Sequence, residues 1–411
     1  MTPRVIINRA RMLDRIERLA AINRLGDSSC CRLALSDADR DGRDLVVGWM
    51  KDAGLQVHID QIGNIIGVRS GRAGAAPVMT GSHIDTVATG GRFDGAYGVI
   101  AGLEALQTLH EAGVETQRGL AVAVFTNEEG ARFQPDMMGS LVYAGGLSLN
   151  SALASTAEDG VTLGQELERI GYAGTQTCGA ILPHAYVELH IEQGPVLDRE
   201  GGTLGAVQDL QGISWQEVTI RGVSNHAGTT PMRLRHDAGY CAARIAVFVR
   251  ELAQSFGGSQ VATVGKIQLR PNLVNVIARE AKLTVDLRNT NDQLLDDAEA
   301  QLLRFLEELA SSERVTIETK RLARTPAVRF DGRIVQIIED VATSMGHAGI
   351  RRMTSGAGHD AQMMARICPA AMIFVPSVGG ISHNPAEFTE PDHLELGANM
   401  LMRVIERLAS E

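Results

Sequence analysis

A strand–helix–strand pattern fills residues 77–126, which read PVMTGSHIDTVATGGRFDGAYGVIAGLEALQTLHEAGVETQRGLAVAVFT. The apolar runs 78–81 and 120–126 are predicted to be buried strands, and the amphipathic segment 96–112 is predicted to be the helix between them. Two strands joined by a helix with short turns are typical of a parallel sheet. We therefore predict an α/β protein with a mixed, mostly parallel sheet flanked by helices. Earlier in the chain, helices are predicted at residues 8–25 and 41–53, and strands at residues 55–59 and 64–68.

The pattern changes after about residue 213, where alternation of apolar and polar residues replaces the buried runs. This part is predicted to be an α+β unit of four antiparallel strands and two helices. The strands are predicted at residues 215–220, 261–269, 282–287 and 315–319, and the helices at residues 237–256 and 292–311. Since single hydrophobic cores stop growing at roughly 250–300 residues, a chain of 411 residues should exceed one domain. We predict a discontinuous catalytic domain, residues 1–212 and 325–411, interrupted by an inserted domain, residues 213–324.

Composition narrows the class of protein. The net charge of −10 argues against nucleic acid and anionic membranes as partners, because both require a basic face. No apolar run reaches 18 residues and the N-terminal segment lacks the apolar core of a signal peptide, so no membrane association is predicted. The five cysteines are odd in number and show no C-x-x-C spacing, which disfavours a disulfide framework or a thiolate zinc site. A cytoplasmic location is expected.

Imidazole and carboxylate side chains recur where predicted strands end. They follow the apolar runs 77–80, 120–126, 186–189 and 372–375, and they are His83, Asp94, Glu128, Glu129, His190 and His383. In open α/β sheets, sites form in the crevice beyond the carboxyl ends of the strands. Three imidazoles and three carboxylates are too many for one tetrahedral zinc ion, which takes four ligands. They suit two cations that share a bridging carboxylate.

Each of these residues also has an ordinary structural interpretation. A single histidine at a strand end is more often a satisfied polar residue than a ligand, and Asp94 at a helix start could be an N-cap. His83 is strengthened as a candidate by Asp85, because a carboxylate two residues on suits the orientation of a metal-bound imidazole. Glu128 and Glu129 could form a solvated turn, but adjacent carboxylates after a buried strand repel unless a cation or proton lies between them. One on the metal and one as general base would resolve that conflict.

Nine segments, taken in order, resemble the signature segments of the M20-type metallopeptidase superfamily. The similarity is greatest to its amidase branch of N-carbamoyl-L-amino acid hydrolases, β-ureidopropionases and allantoate amidohydrolases, and it extends from about residue 10 to 405. One departure is Ala278, which stands where relatives usually have proline. The segments are GSHIDTV (81–87), GGRFDGAYGV (90–99), FTNEEGARF (125–133), LHIEQGPVL (189–197), SNHAGTTPM (224–232), NLVNVI (272–277), DLRN (286–289), SGAGHDAQ (355–362) and GISHNPAE (380–387).

The resemblance implies two divalent metal ions per subunit. One would be held by His83, Asp94 and His190, and the other by Asp94, Glu129 and His383, with Asp94 bridging. Glu128 would be the general base and Asp85 the acid that orients a ligand. The ligand types imply zinc, although Mn, Co or Ni can occupy such nitrogen and oxygen sites.

The resemblance also implies a substrate site and a homodimer. Asn275 and Arg288 would bind the substrate carboxylate, with the planar guanidinium as a bidentate partner. His226 would come from the inserted domain of the partner subunit and stabilise the oxyanion, so this domain would serve as a lid and for dimerisation. Taken alone, Arg288 could be a surface charge and His226 an ordinary loop histidine. The pocket would further be lined by Gln193, Gly358 and His359.

The predicted function is a binuclear metal amidohydrolase that cleaves the carbamoyl C–N bond of N-carbamoyl-L-amino acids or a close ureido carboxylate, releasing ammonia and CO₂. Allantoate amidohydrolase and β-ureidopropionase are the nearest alternatives. An M20-type dipeptidase or aminoacylase is more remote, since HIEQGP and DLRN favour the amidase branch. A non-enzymatic binding protein on this fold would be favoured by loss of Glu128 or of any ligand, and all are present.

Overall fold

A computed structural model describes residues 5–26 and 29–411 of the chain. The chain divides into two compact units, one made of the chain up to Gln208 together with Phe330–Glu411, the other of Asp209–Arg329. The second unit begins at Asp209 rather than residue 213 and ends at Arg329 rather than residue 324. Residues 209–210 and 328–329, at the two ends of this unit, pair with each other in a short antiparallel ladder.

Fifteen strands and twelve α-helices are present in the described residues. The strands are β1 (Arg24–Leu25), β2 (Ser29–Cys30), β3 (Gln56–Ile59), β4 (Ile65–Arg69), β5 (Ala75–His83), β6 (Arg118–Phe125), β7 (Ala185–Ile191), β8 (Gly205–Leu210), β9 (Gly212–Arg221), β10 (Val261–Arg270), β11 (Glu280–Asn289), β12 (Thr316–Thr325), β13 (Val328–Arg329), β14 (Arg351–Ser355) and β15 (Ala370–Val375). The helices are α1 (Arg9–Ala20), α2 (Asp37–Asp52), α3 (Ala96–Glu111), α4 (Met138–Tyr143), α5 (Leu149–Leu153), α6 (Leu163–Ile170), α7 (Val196–Glu200), α8 (Ala238–Phe256), α9 (Asp292–Glu313), α10 (Gly332–Ser344), α11 (Asp360–Met364) and α12 (Pro391–Ala409). Short 3₁₀ turns occur at Met232–Leu234 and Val378–Gly380.

The larger sheet has nine strands, in the order β13-β8-β15-β7-β5-β6-β4-β3, with β14 also paired to β8. Its four central strands, β15, β7, β5 and β6, are parallel. Strands β13, β8, β4 and β3 pair antiparallel. The prediction of a mixed, mostly parallel sheet flanked by helices is confirmed. The parallel strands are buried along almost their whole length, as expected for strands covered on both faces.

Helix α3 connects β5 to β6 and is buried on nearly all sides. It packs against the sheet and against α12. At Gly98 a Cβ atom would lie 2.4 Å from the carbonyl oxygen of Leu189, and at Gly102 one would lie 2.8 Å from Thr80 Cγ2. The two glycines therefore allow the helix to approach the strands that end at the candidate site.

The second unit contains the smaller sheet, in which β10, β11, β9 and β12 are adjacent in that order and all antiparallel. Alternate residues of β11 (Ala281, Leu283, Val285 and Leu287) are buried against helices α8 and α9. Apolar residues alternate with polar ones in this sequence because successive side chains of a strand point to opposite faces, and only one face of this sheet is buried. The prediction of four antiparallel strands and two helices is confirmed.

The first helix is shorter than the predicted 8–25. It ends at Ala20, because Asn23 and Gly26 have positive φ angles of 52° and 66° that a right-handed helix does not accommodate. No helix in the described part of the chain combines the length and the apolar character that a bilayer crossing requires. The cytoplasmic location stays a prediction.

Candidate metal centre

Two groups of ligand-type side chains meet at Asp94. His83 Nε2 and His190 Nε2 lie 3.7 Å and 3.3 Å from Asp94 Oδ1. His383 Nε2 lies 3.1 Å from Asp94 Oδ2 and 3.3 Å from Glu129 Oε2. The structure thus forms two clusters, His83–Asp94–His190 and Asp94–Glu129–His383, with a different oxygen of Asp94 in each.

The four parallel strands explain this convergence, because their carboxyl ends meet at one edge of the sheet. His83 is the last residue of β5, His190 lies near the end of β7, and Glu128 and Glu129 follow β6. His383 follows β15 in the loop that leads to α12. Each strand of the parallel core therefore contributes to the site.

Asp94 does not cap helix α3. The N-cap is Gly95, whose φ of 62° and lack of a side chain leave no capping hydrogen bond. A Cβ atom at Gly95 would lie 2.4 Å from the His83 ring, so the close approach of turn and imidazole requires glycine. The Asp94 carboxylate instead accepts a hydrogen bond from Gln193 Nε2 at 2.8 Å, and Ser382 Oγ lies 3.2 Å from its Oδ2. The N-cap interpretation of Asp94 is wrong.

The two buried imidazoles present the nitrogen that a metal would use. Nδ1 of His83 and Nδ1 of His190 lie 2.9 Å from the backbone carbonyl oxygens of Asp85 and Ile191. A carbonyl oxygen can only accept, so each Nδ1 carries the hydrogen and each Nε2 faces Asp94. Fixing one ring nitrogen in this way is how proteins orient metal-binding histidines. The donor set fits a divalent cation.

Burial and close charges shift the titration of these groups. Burial lowers the pKa of His83 to about 4, so its imidazole is neutral at pH 7. Burial would also lower the pKa of His190, but the adjacent Asp94 and Glu188 carboxylates raise it to about 9. The hydrogen bond to Asp94 raises the pKa of His383 to about 9. At pH 7 His190 and His383 are therefore protonated beside Asp94, and a bound cation would replace those protons.

Glu128 and Glu129 are both withdrawn from water. Glu128 is 8% exposed, and burial together with nearby Asp360 and Glu129 raises its pKa well above the usual range for a glutamic acid. Burial and the charge of Asp94 do the same to the pKa of Glu129. Glu128 Oε2 lies 3.4 Å from His83 Nε2. So many buried carboxylates are costly unless cations or protons neutralise them.

The Asp85 carboxylate was expected to orient the His83 imidazole, but it is too far from the ring to form a hydrogen bond. The imidazole is held by the Asp85 carbonyl oxygen, and Asp85 Oδ1 is 4.0 Å from His83 Nδ1. The carboxylate instead accepts the backbone N–H groups of Glu128 and Glu129, each at 3.2 Å. Both carboxylate oxygens of Asp85 thus bind the turn after β6, and the Asp85 carbonyl oxygen orients the His83 imidazole. Burial raises the pKa of Asp85 to about 7.

Three residues predicted to bind substrate line the same cavity, which measures about 120 Å³: Gln193, Gly358 and His359. Gln193 has a positive φ of 57°, and its Oε1 is buried without a hydrogen-bond partner among the described residues. His359 is buried, accepts or donates a hydrogen bond with Ser355 Oγ at 2.9 Å, and packs edge-on against His190. Burial holds its pKa well below that of a free imidazole.

The remaining predicted residues, His226, Asn275 and Arg288, lie in the second unit. His226 is exposed, and its Nδ1 accepts the N–H groups of Gly228 and Thr229 at 3.0 Å and 3.2 Å. An antiparallel bridge pairs His226 with Val276, and the Ala227 N–H donates to the Asn275 carbonyl at 2.9 Å. The structure therefore brings the His226 turn next to Asn275.

Arg288 lies near the end of β11 with a quarter of its side chain exposed. Its Nε lies 3.1 Å from each carboxylate oxygen of Asp286, and its Nη2 lies 2.8 Å from Oδ2. These contacts with one carboxylate fix the plane of the Arg288 guanidinium.

Three residues near the cluster were not predicted from the sequence. Asp136 lines the cavity, Ser382 Oγ lies 3.2 Å from Asp94 Oδ2, and Glu387 accepts the backbone N–H of Asp94 at 3.2 Å. Ser382 and Glu387 stand in the same motif as His383, but nothing local distinguishes them from ordinary loop residues. Asp136 carries no sequence signal.

The chain is similar to known proteins over almost its whole length. Residues 79–407 match the sequence profile of Peptidase family M20/M25/M40. The chain is 37% identical over 400 residues to an N-carbamoyl-L-amino-acid amidohydrolase of Rhizobium meliloti, covering 97% of this chain and 96% of that protein. It is 34% identical over 399 residues to an allantoate amidohydrolase of Bacillus subtilis, covering 96% and 97%. The crystal structure of a hydantoinase/carbamoylase family amidase from Burkholderia multivorans superposes with a TM-score of 0.97 at 42% identity, over the whole of both chains.

Proposed function

Because this chain belongs to peptidase family M20/M25/M40, and within it to the amidases of the hydantoinase/carbamoylase type, we propose that it hydrolyses the carbamoyl C–N bond of N-carbamoyl-L-amino acids with two divalent cations, releasing ammonia and CO₂. Its relatives are amidohydrolases acting on carbon–nitrogen bonds other than peptide bonds, so the chain is an enzyme of that class. The strongest support for two cations is the placement of Asp94, which offers one oxygen to each of two imidazole-bearing clusters.

In this proposal His83, Asp94 and His190 hold one cation, and Asp94, Glu129 and His383 hold the other. Zinc suits these donors, and Mn, Co or Ni can occupy the same nitrogen and oxygen set. When bound, the cations polarise the scissile carbonyl and lower the pKa of water toward neutrality.

Glu128 is the proposed general base. It is buried beside the clusters, yet it belongs to neither of them. Its backbone N–H donates to Asp85, so the turn that carries it is fixed to the end of β5. The carboxylate would take a proton from the attacking water and later deliver one to the leaving nitrogen. Asp85 would serve by holding this turn in place.

On the substrate side, Arg288 would bind the substrate carboxylate with a guanidinium whose plane Asp286 already fixes, and Asn275 would add a hydrogen bond. Gln193 Oε1 is a buried acceptor that would receive a ureido N–H. Gly358 and His359 would complete the wall of the pocket. Burial keeps the His359 imidazole neutral, so it would contribute as a neutral hydrogen-bonding group.

Two alternative substrates keep the same chemistry. The similarity to an allantoate amidohydrolase supports allantoate. N-carbamoyl-β-alanine, the substrate of β-ureidopropionases, has one more carbon between ureido group and carboxylate than an N-carbamoyl-α-amino acid, and it has no side chain. Dipeptides or N-acyl amino acids are the more remote alternative within the family.

Turnover on four substrates, measured side by side with metal-reconstituted protein, tests this proposal. We expect the highest kcat/KM on an N-carbamoyl-L-amino acid, with ammonia released in proportion to the amino acid formed. A higher value on allantoate or N-carbamoyl-β-alanine would assign the enzyme to that substrate instead. Cleavage of a dipeptide without ammonia release from any ureido compound would contradict the amidase assignment.

We also propose that the active form is a homodimer in which His226 acts in the partner's site. The second unit has an edge strand, β10, with Val261 and Ile267 about half exposed, and Val274 in the following loop is fully exposed. Edge strands with apolar side chains are suited to pairing with another chain. The exposed His226 turn, held against residues 275–277, would present its imidazole to a developing oxyanion.

Subunit mixing tests the role of His226. His226→Ala should lower kcat by about 10²–10³, the usual scale for one oxyanion donor. When this variant is mixed with Glu128→Gln and the subunits exchange, each mixed dimer holds one site with both residues intact. Random exchange makes about half of the dimers mixed, so roughly a quarter of wild-type activity should return.

The matched control is His226→Ala mixed with the His226→Ala/Glu128→Gln double variant, where no dimer contains an intact site. Activity should stay at the level of the parents in that mixture. If the first mixture also stays inactive although mass spectrometry shows mixed dimers, His226 acts within its own chain; full activity of His226→Ala alone would mean that it has no catalytic role.

A further inference from the structure

His383 differs from the other candidate ligands in how it is held. His83, Asp94, Glu129 and His190 have side chains that are at most about 5% exposed, whereas the side chain of His383 is 50% exposed. It lies in the loop between β15 and α12, and its φ of 53° is in the left-handed region that non-glycine residues seldom adopt. Packing around the imidazole therefore does not fix its position, and the loop must be held by other contacts.

Glu387 supplies those contacts. Its side chain is 3% exposed although it lies in the same loop. Oε1 accepts the backbone N–H groups of Phe93 at 3.0 Å and Asp94 at 3.2 Å, and Oε2 accepts the hydroxyl of Ser382 at 3.0 Å. Ser382 Oγ also lies 3.2 Å from Asp94 Oδ2. The carboxylate thus connects the Asp94 turn with the residue that precedes His383.

The Asp94 turn is shaped to receive this carboxylate. A Cβ atom at Gly91 would lie 2.1 Å from Glu387 Oε1, so only glycine leaves room for it. Next to it, the rings of Phe93 and Phe388 meet edge to face with centroids 6.4 Å apart. Burying a carboxylate costs free energy that these neutral donors offset only in part. The apolar contact of Phe93 with Phe388 could hold the loop without a buried carboxylate, which indicates a further role for Glu387.

We propose that Glu387 is a positioning residue for the Asp94–Glu129–His383 cluster. This inference rests on the proposed two-metal function. Glu387 sets the distance between the Asp94 turn and the His383 loop, so its loss should loosen His383, whose side chain is half exposed and held least by packing. The His83–Asp94–His190 cluster takes both of its histidines from buried strands, and it should keep its cation.

Metal titration of the full-length, metal-free protein tests this difference between the two clusters. Zn²⁺ is titrated against a competing chelator, and Co²⁺ binding is followed by visible absorption. Wild type should bind two equivalents. Glu387→Ala should bind one equivalent as tightly as wild type and the other about 10–100-fold more weakly, the usual effect of losing a group that orients a ligand. The Co²⁺ spectrum should change for the weaker equivalent only.

Two further variants separate positioning from general stability. Glu387→Gln can still accept both N–H groups through Oε1, and its amide can donate to Ser382 Oγ, so both affinities should stay within about threefold of wild type. Asp331→Ala removes a carboxylate that accepts two backbone N–H groups at 3.0 Å at the start of α10. It should lower the melting temperature and leave both metal affinities unchanged.

Unchanged affinity for the second equivalent in Glu387→Ala, or an equal loss of both, would overturn the inference. If Glu387→Ala does not fold, Ser382→Ala decides, because it removes the hydroxyl between Glu387 and Asp94 and should weaken the same equivalent several-fold; no change there would overturn the inference. A wild-type protein that binds only one equivalent would refute the two-metal function itself, and the inference with it.

Discussion

Removal of the metal should abolish hydrolysis completely. Dialysis of the protein against a chelator is expected to leave no turnover above the uncatalysed background, and Zn²⁺, Mn²⁺, Co²⁺ or Ni²⁺ should restore it. The physical reason lies in the buried carboxylates at Asp94 and beside it, which three imidazoles face. None of the chain's own groups at this site is an electrophile strong enough to replace a cation.

The measurement combines ammonia release with elemental analysis of the same sample. Circular dichroism of the metal-free protein serves as the control, since the candidate ligands lie at strand ends and the sheet should remain folded without them. Mg²⁺ and Ca²⁺ should restore little activity, because both prefer oxygen donors and half of this donor set is imidazole nitrogen. A preparation that is fully active and contains no metal would rule out the proposed chemistry.

Glu128→Gln should lower kcat by about 10²–10⁴ while metal content and fold stay as in wild type. The side chain belongs to neither ligand cluster, and the contact that holds its turn is made by its backbone N–H, which glutamine retains. The amide has nearly the same shape as the carboxylate but cannot accept a proton at neutral pH. The variant should therefore lose proton transfer alone.

Glu129→Gln is the matched control, since it is the adjacent residue, equally withdrawn from water, but 3.3 Å from His383 within a ligand cluster. It should lose affinity for one metal equivalent, and excess Zn²⁺ should recover part of its activity. Excess metal should not rescue Glu128→Gln. Near wild-type turnover in Glu128→Gln, or its rescue by metal, would remove Glu128 from the role of base.

The elements that were predicted well are those with a long, regular pattern. Residues 96–112 and 120–126 correspond to α3 (Ala96–Glu111) and β6 (Arg118–Phe125), and the alternation in 282–287 corresponds to β11. Their burial repeats with the period of the element, so a single sequence reveals it. Helices α4 to α7 have five to eight residues each and were not predicted, because so short a segment shows no period. The end of α1 depends on the backbone at Asn23 and Gly26 rather than on hydrophobicity.

The sequence alone determined the fold class, and it singled out the imidazoles and carboxylates that lie close together around Asp94. Parallel strands bring their carboxyl ends to one edge, so ligand-type residues after such strands can be grouped without coordinates. Only the tertiary structure decided how those residues are held. Asp85 faces the backbone of Glu128 and Glu129, and Glu387 connects the Asp94 turn to the His383 loop. These contacts join segments far apart in the chain through backbone N–H groups, which every residue except proline carries, so no pattern of side chains reveals them.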